Sequence, residues 1–171
     1  MKEEFDIKAV TASPAMICPP VPDNDKKRYP IYGKLVELDI PFCPCMGVPG
    51  PRVPAGPQKV ELLDEVLWFF PELRVVTRHG CEPWTEMAWQ LMLKYPNLHY
   101  MTSAFTPKRY PADIIQFANT RGADQVMYAG YFPMGLSLDR IFSEMPDVPL
   151  KDDVWPRFLR ENAIRVFKLE Q

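Results

Sequence analysis

Hydrophobic and polar positions in this chain alternate between two periods, and prolines mark where one gives way to the other. Short apolar runs open near Ile7 ("IKAVTAS"), Ile40 ("IPFCPC"), Leu73 ("LRVVTRH"), Leu98 ("LHYMTSA") and Gln125 ("QVMYAGYF"). Each is the right length for a buried strand. Between them the spacing becomes helical. "QKVELLDEVLWFF" places Val60, Leu63, Leu67 and Phe70 on one face, and "EPWTEMAWQLMLK" does the same with Trp84, Met87, Ala88, Leu91 and Met92. The segments "FPELRVV" and "YPNLHYM" share one form, in which an aromatic and a proline end the helix and a leucine begins the next apolar run. A last helix is predicted in "KDDVWPRFLRENAIRVF", with Asp152 or Asp153 as cap, Pro156 in the first turn, and Val154, Phe158, Leu159, Ala163, Val166 and Phe167 on the buried side.

Successive strand starts are about 33, 33, 25 and 27 residues apart. That distance suits parallel strands joined by crossover helices. The predicted class is therefore α/β, with about five parallel strands in either a doubly wound sheet or part of a (βα)8 barrel. The segments after the strands, "SPAMICPPVPDNDKK", "CMGVPGPRVPAGPQ" and "TSAFTPKRYPAD", are longer and richer than the helix-to-strand links. Both parallel architectures build their sites at that carboxyl end. The proline- and glycine-rich stretch Val48–Gly56, with Arg52 at its centre, reads as a stiffened lid or pocket wall, or simply as a rigid surface connection.

Composition adds limits rather than a function. The 171 residues fit one domain, 1–171, and 47% hydrophobic with 12% aromatic residues can fill a core. A net charge of −2, from 22 acids and 20 bases without long blocks of one sign, advertises neither a nucleic-acid nor a membrane surface. The apolar run "VLWFFPELRVV" is broken by Pro71, Glu72 and Arg74, and the amino terminus lacks a signal-peptide pattern, so a cytoplasmic location is expected. Cys18, Cys43, Cys45 and Cys81 form no paired hooks and are expected to be reduced thiols.

Candidate chemistry centres on "VVTRHGCEPW", where a strand delivers His79 to an open loop. An imidazole there suits general acid–base work or metal binding, with a hydrogen-bonded structural role as the plain alternative. His99, inside a strand, reads as structural. Cys43, Cys45, Cys81 and His79 together have the chemistry of a soft zinc site, and Cys45 or Cys81 beside Arg78 that of an activated nucleophile; small buried thiols are the simpler reading. No phosphate loop, serine elbow or H-E-x-x-H motif occurs.

The stretches "RVVTRHGCEPWTEMAWQLMLKYPNLHYMTSAFTPKRYP", "ANTRGADQVMYAGYFPM" and "VWPRFLRENAIRVFKL" resemble the second half of the amidohydrolase-related metal-dependent hydrolases, in the branch that holds the aminocarboxymuconate-semialdehyde and resorcylate decarboxylases. The resemblance implies a partial TIM barrel whose strands correspond to the family's fourth to eighth. The first three strands, with their H-x-H pair, are then absent from this sequence, which implies a homodimer or a missing amino-terminal half. It implies a hydrolase or carboxy-lyase acting on a small carboxylated or ring-derived substrate, or else a non-catalytic barrel remnant that serves as a binding or assembly partner. His79 matches the sixth-strand histidine, which works in proton transfer. Cys45 stands where the family has a ligand histidine, and Tyr131 where it has an aspartate. Tyrosine, with an ordinary pKa of about 10, does not replace a carboxylate as hard ligand and proton acceptor near neutral pH. The expectation is accordingly that no cofactor is used, with a divalent metal such as zinc as the alternative. His79 and Tyr131 are then the acid–base groups, and Arg52, Arg78, Glu82 and Trp84 shape the substrate pocket.

Overall fold

The computed structural model describes residues 5–169. Five strands, β1 (Val10–Ala12), β2 (Phe42–Pro44), β3 (Val75–Thr77), β4 (Leu98–Met101) and β5 (Val126–Met127), form one sheet in the order β1-β2-β3-β4-β5. Every neighbouring pair is parallel. A doubly wound sheet reverses its strand order at a switch point. This sheet has none, and sequential order is that of a barrel segment.

The crossovers carry α1 (Tyr29–Leu38), α2 (Leu62–Phe69), α3 (Thr85–Lys94) and α4 (Ala112–Ala118); α5 (Leu138–Glu144) and α6 (Asn162–Phe167) follow β5. Their boundaries follow local chemistry. Asp39 closes α1 in a left-handed conformation with φ 53°, Phe70-Pro71 follows α2, Tyr95-Pro96 follows α3, and the Ser137 hydroxyl caps α5 by accepting from Arg140 N at 3.2 Å.

Side-chain alternation along the strands separates two cores. Phe42, Val75, Leu98, Tyr100 and Val126 face the helices in the larger cluster, with Leu63, Val66, Leu67, Leu91, Met92 and Ile114. Cys43, Val76 and Met127 point to the other face, where Val166 of α6 packs on them with Ala163 and Phe167 beside it. Both faces are thus covered, which is why the strands read as continuous apolar runs.

Two local departures have physical causes. Pro44 lies inside a central strand, a position proline normally avoids. Phe42 N and Met46 N donate to Arg74 and Arg78 carbonyls of the β3 side, at 2.9 and 3.1 Å; the position between them has no N–H, so one rung of that ladder is missing. The carboxyl-terminal helix is also not uniform: Arg157–Glu161 is a π turn. Its wider winding shifts the phase of the helix. Phe158 therefore serves the larger core and Val166 the smaller, while Leu159, expected inside, is 43% exposed.

The amino-terminal ends of the strands are tied together by that helix. Arg74 donates to the Val166 carbonyl at 2.7 Å and to the Asp39 carboxylate at 2.7 Å, and Lys168 pairs with the same carboxylate. Asn162 Nδ2 donates to the Ala123 and Val126 carbonyls at 2.7 and 2.9 Å, and Arg165 reaches the Asp124 carbonyl. The opposite, carboxyl-terminal end is left to the loops.

Candidate active site

All five strands send their following loops to one cavity of about 490 Å³. It is lined by Ser13 after β1, Cys45 and Met46 after β2, His79 after β3, Ala104 and Phe105 after β4, and Tyr131 after β5. Val48 to Pro51 form one wall, while the rest of the stretch Val48–Gly56, Arg52 included, does not line it. Gln58 anchors the base of the wall, donating from Nε2 to the Gly47 carbonyl at 3.0 Å while its own carbonyl accepts from Gly47 N at 3.1 Å.

The placement of His79 depends on backbone that few side chains tolerate. After β3 the chain pairs once more through the Arg78–Cys45 bridge, then turns through two left-handed residues, His79 (φ 64°) and Gly80 (φ 68°). Histidine is among the residue types that enter this region. At Gly80 a Cβ would lie 2.1 Å from Glu82 Oε2 and 2.9 Å from the Phe105 ring, so glycine is also what the space allows. Val48 N donates to the Glu82 carbonyl at 2.9 Å and joins this turn to the wall.

The imidazole is held on three sides. Ser103 Oγ lies 2.9 Å from His79 N and 3.2 Å from Nδ1, Arg78 Nη2 lies 3.2 Å from Nε2, and the Tyr131 ring stands edge-on at 5.4 Å and 81°. Guanidinium only donates, so Nε2 must be the acceptor and Nδ1 must carry the proton that goes to Ser103. Burial, and secondarily the Arg78 charge, holds His79 below the ordinary imidazole range. A neutral ring near pH 7 follows.

The other candidate residues divide. Arg78 reaches the site through His79, and no ion pair to it is found among the described residues. Arg52 is exposed on the outer loop and does not line the cavity. Trp84 packs against the larger core at the start of α3, behind the site. Glu82 turns its carboxyl beneath Gly80, where Oε2 is buried without a partner; burial first, with the Asp113 charge adding to it, raises its pKa. Ser103, Ser13, Gln58 and Phe105 belong to the site although nothing singled them out in the sequence, apart from the polar Thr-Ser step that ends the apolar run "LHYM".

The thiols do not assemble. Cys43 faces the α6 side and Cys81 the helix side, and burial pushes each up to about 12, so neither is a thiolate. Cys45 alone reaches the cavity, 3.1 Å from Ser13 Oγ. His99 is buried on β4 away from the cavity, its Nδ1 without a partner. Among the described residues no group of three or more His, Cys, Asp or Glu side chains could hold a metal ion. One imidazole, one thiol and one phenol do not make the oxygen- and nitrogen-rich set that a hard divalent cation takes.

The amidohydrolase family model matches residues 6–169. Among curated proteins the sequence finds no match. Among solved structures, an uncharacterised TIM-barrel protein from Bordetella bronchiseptica aligns over 98% of this chain and 59% of its own, at 26% identity and a TM-score of 0.84. A 2,6-dihydroxybenzoate decarboxylase from Rhizobium aligns over 89% of this chain and 58% of its own, at 20% identity and 0.66. A dihydroxybenzoic acid decarboxylase from a Polaromonas species, solved with manganese and the inhibitor 2-nitroresorcinol, aligns over 99% and 63%, at 15% identity and 0.69. The five parallel strands are thus those of a partial TIM barrel, and the chain spans about three fifths of the length of these structures. The expectation that no cofactor is used finds no support in a relative that carries manganese, although the described residues here do not fit such an ion.

Proposed function

Because the chain belongs to the amidohydrolase family, we propose that its cavity binds a small carboxylated or ring-derived molecule and takes part in its hydrolysis or decarboxylation. The observation that carries this reading is the His79 imidazole, contacted at both ring nitrogens by Ser103 and Arg78, at the meeting point of five strand-end loops. Once its Nε2 lone pair is free, the neutral ring can accept a proton there, which suits the general base, or after protonation the general acid, of either reaction. Tyr131, edge-on to the ring, is the second proposed acid–base group. Arg78 supplies a positive charge for a carboxylate. The walls contributed by Phe105, Tyr131, Pro49 and Pro51 give a flat apolar ring something to pack on. The decarboxylases that share this fold favour a catalytic role over a purely binding one. A homodimer, or completion by an amino-terminal half, is the proposed state of assembly.

Turnover is the test. Purified protein is assayed against a panel of small aromatic and aliphatic carboxylic acids, with and without added divalent metal, following carbon dioxide release and hydrolysis products. His79→Ala is expected to lower any activity by roughly 100-fold or more, the usual scale of a lost acid–base group. Activity that survives His79→Ala unchanged would overturn the assignment.

A further inference from the structure

The contact between Arg78 and His79 is unusual chemistry for a resting site. A guanidinium ordinarily meets a carboxylate, yet Arg78 has no ion pair among the described residues and spends a donor on the lone pair of a neutral imidazole 3.2 Å away. That lone pair is the atom a general base needs. While Arg78 Nη2 occupies it, His79 has no free acceptor: Nδ1 carries the proton engaged with Ser103, and Nε2 is covered. A carboxylate is a far better partner for a guanidinium than an imidazole is, because it accepts two parallel charge-assisted hydrogen bonds.

We propose that Arg78 is a carboxylate-responsive latch: an anionic ligand entering the cavity draws the guanidinium off His79 Nε2 and thereby uncovers the base only when a carboxylate is present. This rests on the reading of His79 as the acid–base group of the cavity. The exchange moves no covalent bond and needs no co-reactant. It makes Arg78 a specificity-determining residue, since an uncharged molecule of the same shape fills the cavity and leaves the lone pair covered. The direction of the electrostatics agrees, because the Arg78 charge itself disfavours protonation of His79, and pairing that charge with an anion removes the effect.

Having only two histidines makes the test clean. Protein labelled with ¹⁵N-histidine is followed by long-range ¹H–¹⁵N spectra at about pH 8, above the ordinary imidazole range, with His99→Gln to assign the signals. Sodium benzoate is the probe and benzamide its uncharged counterpart. The free protein is expected to show His79 as the Nδ1–H tautomer. Benzoate is expected to move the Nε2 resonance downfield, toward a lone pair that accepts nothing, and benzamide to leave it in place. Arg78→Met is expected to show the downfield position without ligand and to bind benzoate at least about 10-fold more weakly, the scale of a charge-assisted pair. If Arg78→Met does not fold, as judged from the His99 signal, the wild-type tautomer and its response to benzoate decide. An Nε2–H tautomer in the free protein, no benzoate binding, or binding that leaves Nε2 unmoved each overturns the latch. None of these touches the turnover assay of His79→Ala, so failure of the latch is separable from failure of the proposed function.

Discussion

His79 and Gly80 show how much one backbone decision sets. Two consecutive positive φ angles turn the imidazole back over β3 toward the cavity and tuck the Glu82 carboxyl into the space beneath Gly80. Gly80→Ala is expected to cost on the order of 1–3 kcal/mol, because the new methyl group meets both an unfavourable φ and the carboxylate. Denaturant unfolding measures this directly; an unchanged midpoint would mean that the turn relaxes freely. The identity of His79 as a candidate was legible from its place at the end of an apolar run before glycine. Its partners were not. Ser103 lies 24 positions away, and Arg78, a sequence neighbour that should point to the opposite side in a regular strand, meets the ring only because the chain leaves the strand geometry at His79.

At the scale of elements, prolines after the helices and apolar runs between them made the five strands legible to within three residues, since each helix end has a local chemical cause. The missing rung at Pro44 and the π turn before α6 were not legible, because tertiary packing tolerates them against local preference. Strand β4 and the segment between β1 and α1 also carry buried ionisable groups, with opposite consequences. On β4, burial, with Arg165 and Arg74 nearby, lowers His99 to about 4. Between β1 and α1, burial raises Asp23 to about 7 despite Arg28 at 3.8 Å and the Tyr32 hydroxyl. The unfolded chain binds a proton at His99 more readily, so this site withdraws stability as pH falls below about 6.5 toward about 4. At Asp23 the folded chain holds the proton more tightly, so stability is lost as pH rises from about 4 to about 7. Each effect is worth roughly 3–4 kcal/mol at most. Relative to wild type, Asp23→Asn should gain stability as pH rises across that window, and His99→Gln should gain as pH falls. Urea titrations at several pH values check both; parallel curves for all three proteins would remove these groups from the account.

For the whole molecule, the sheet order leaves β1 and β5 each paired on one side only among the described residues. Parallel strands are normally paired or covered at every edge, and a bare edge invites association. Light scattering is expected to find a dimer or larger species at micromolar concentration, and a monodisperse monomer would count against it. Phe132, Met134 and Phe142, which lie beyond β5, are 58%, 69% and 56% exposed and mark where added salt should promote such association.

The molecule keeps its fastening and its chemistry at opposite poles. Arg74, Asp39, Asn162 and Lys168 lock one pole through bonds that no cavity-lining residue shares, while the other is a rim of strand-end turns tied to one another where Ser13 meets Cys45, Val48 meets Glu82 and His79 meets Ser103. Changes at opposite poles, which share no partner, combine additively. A rim of this kind is open to revision as one linked set of turns, so new selectivity can be grafted onto it while the foundation stays as it was.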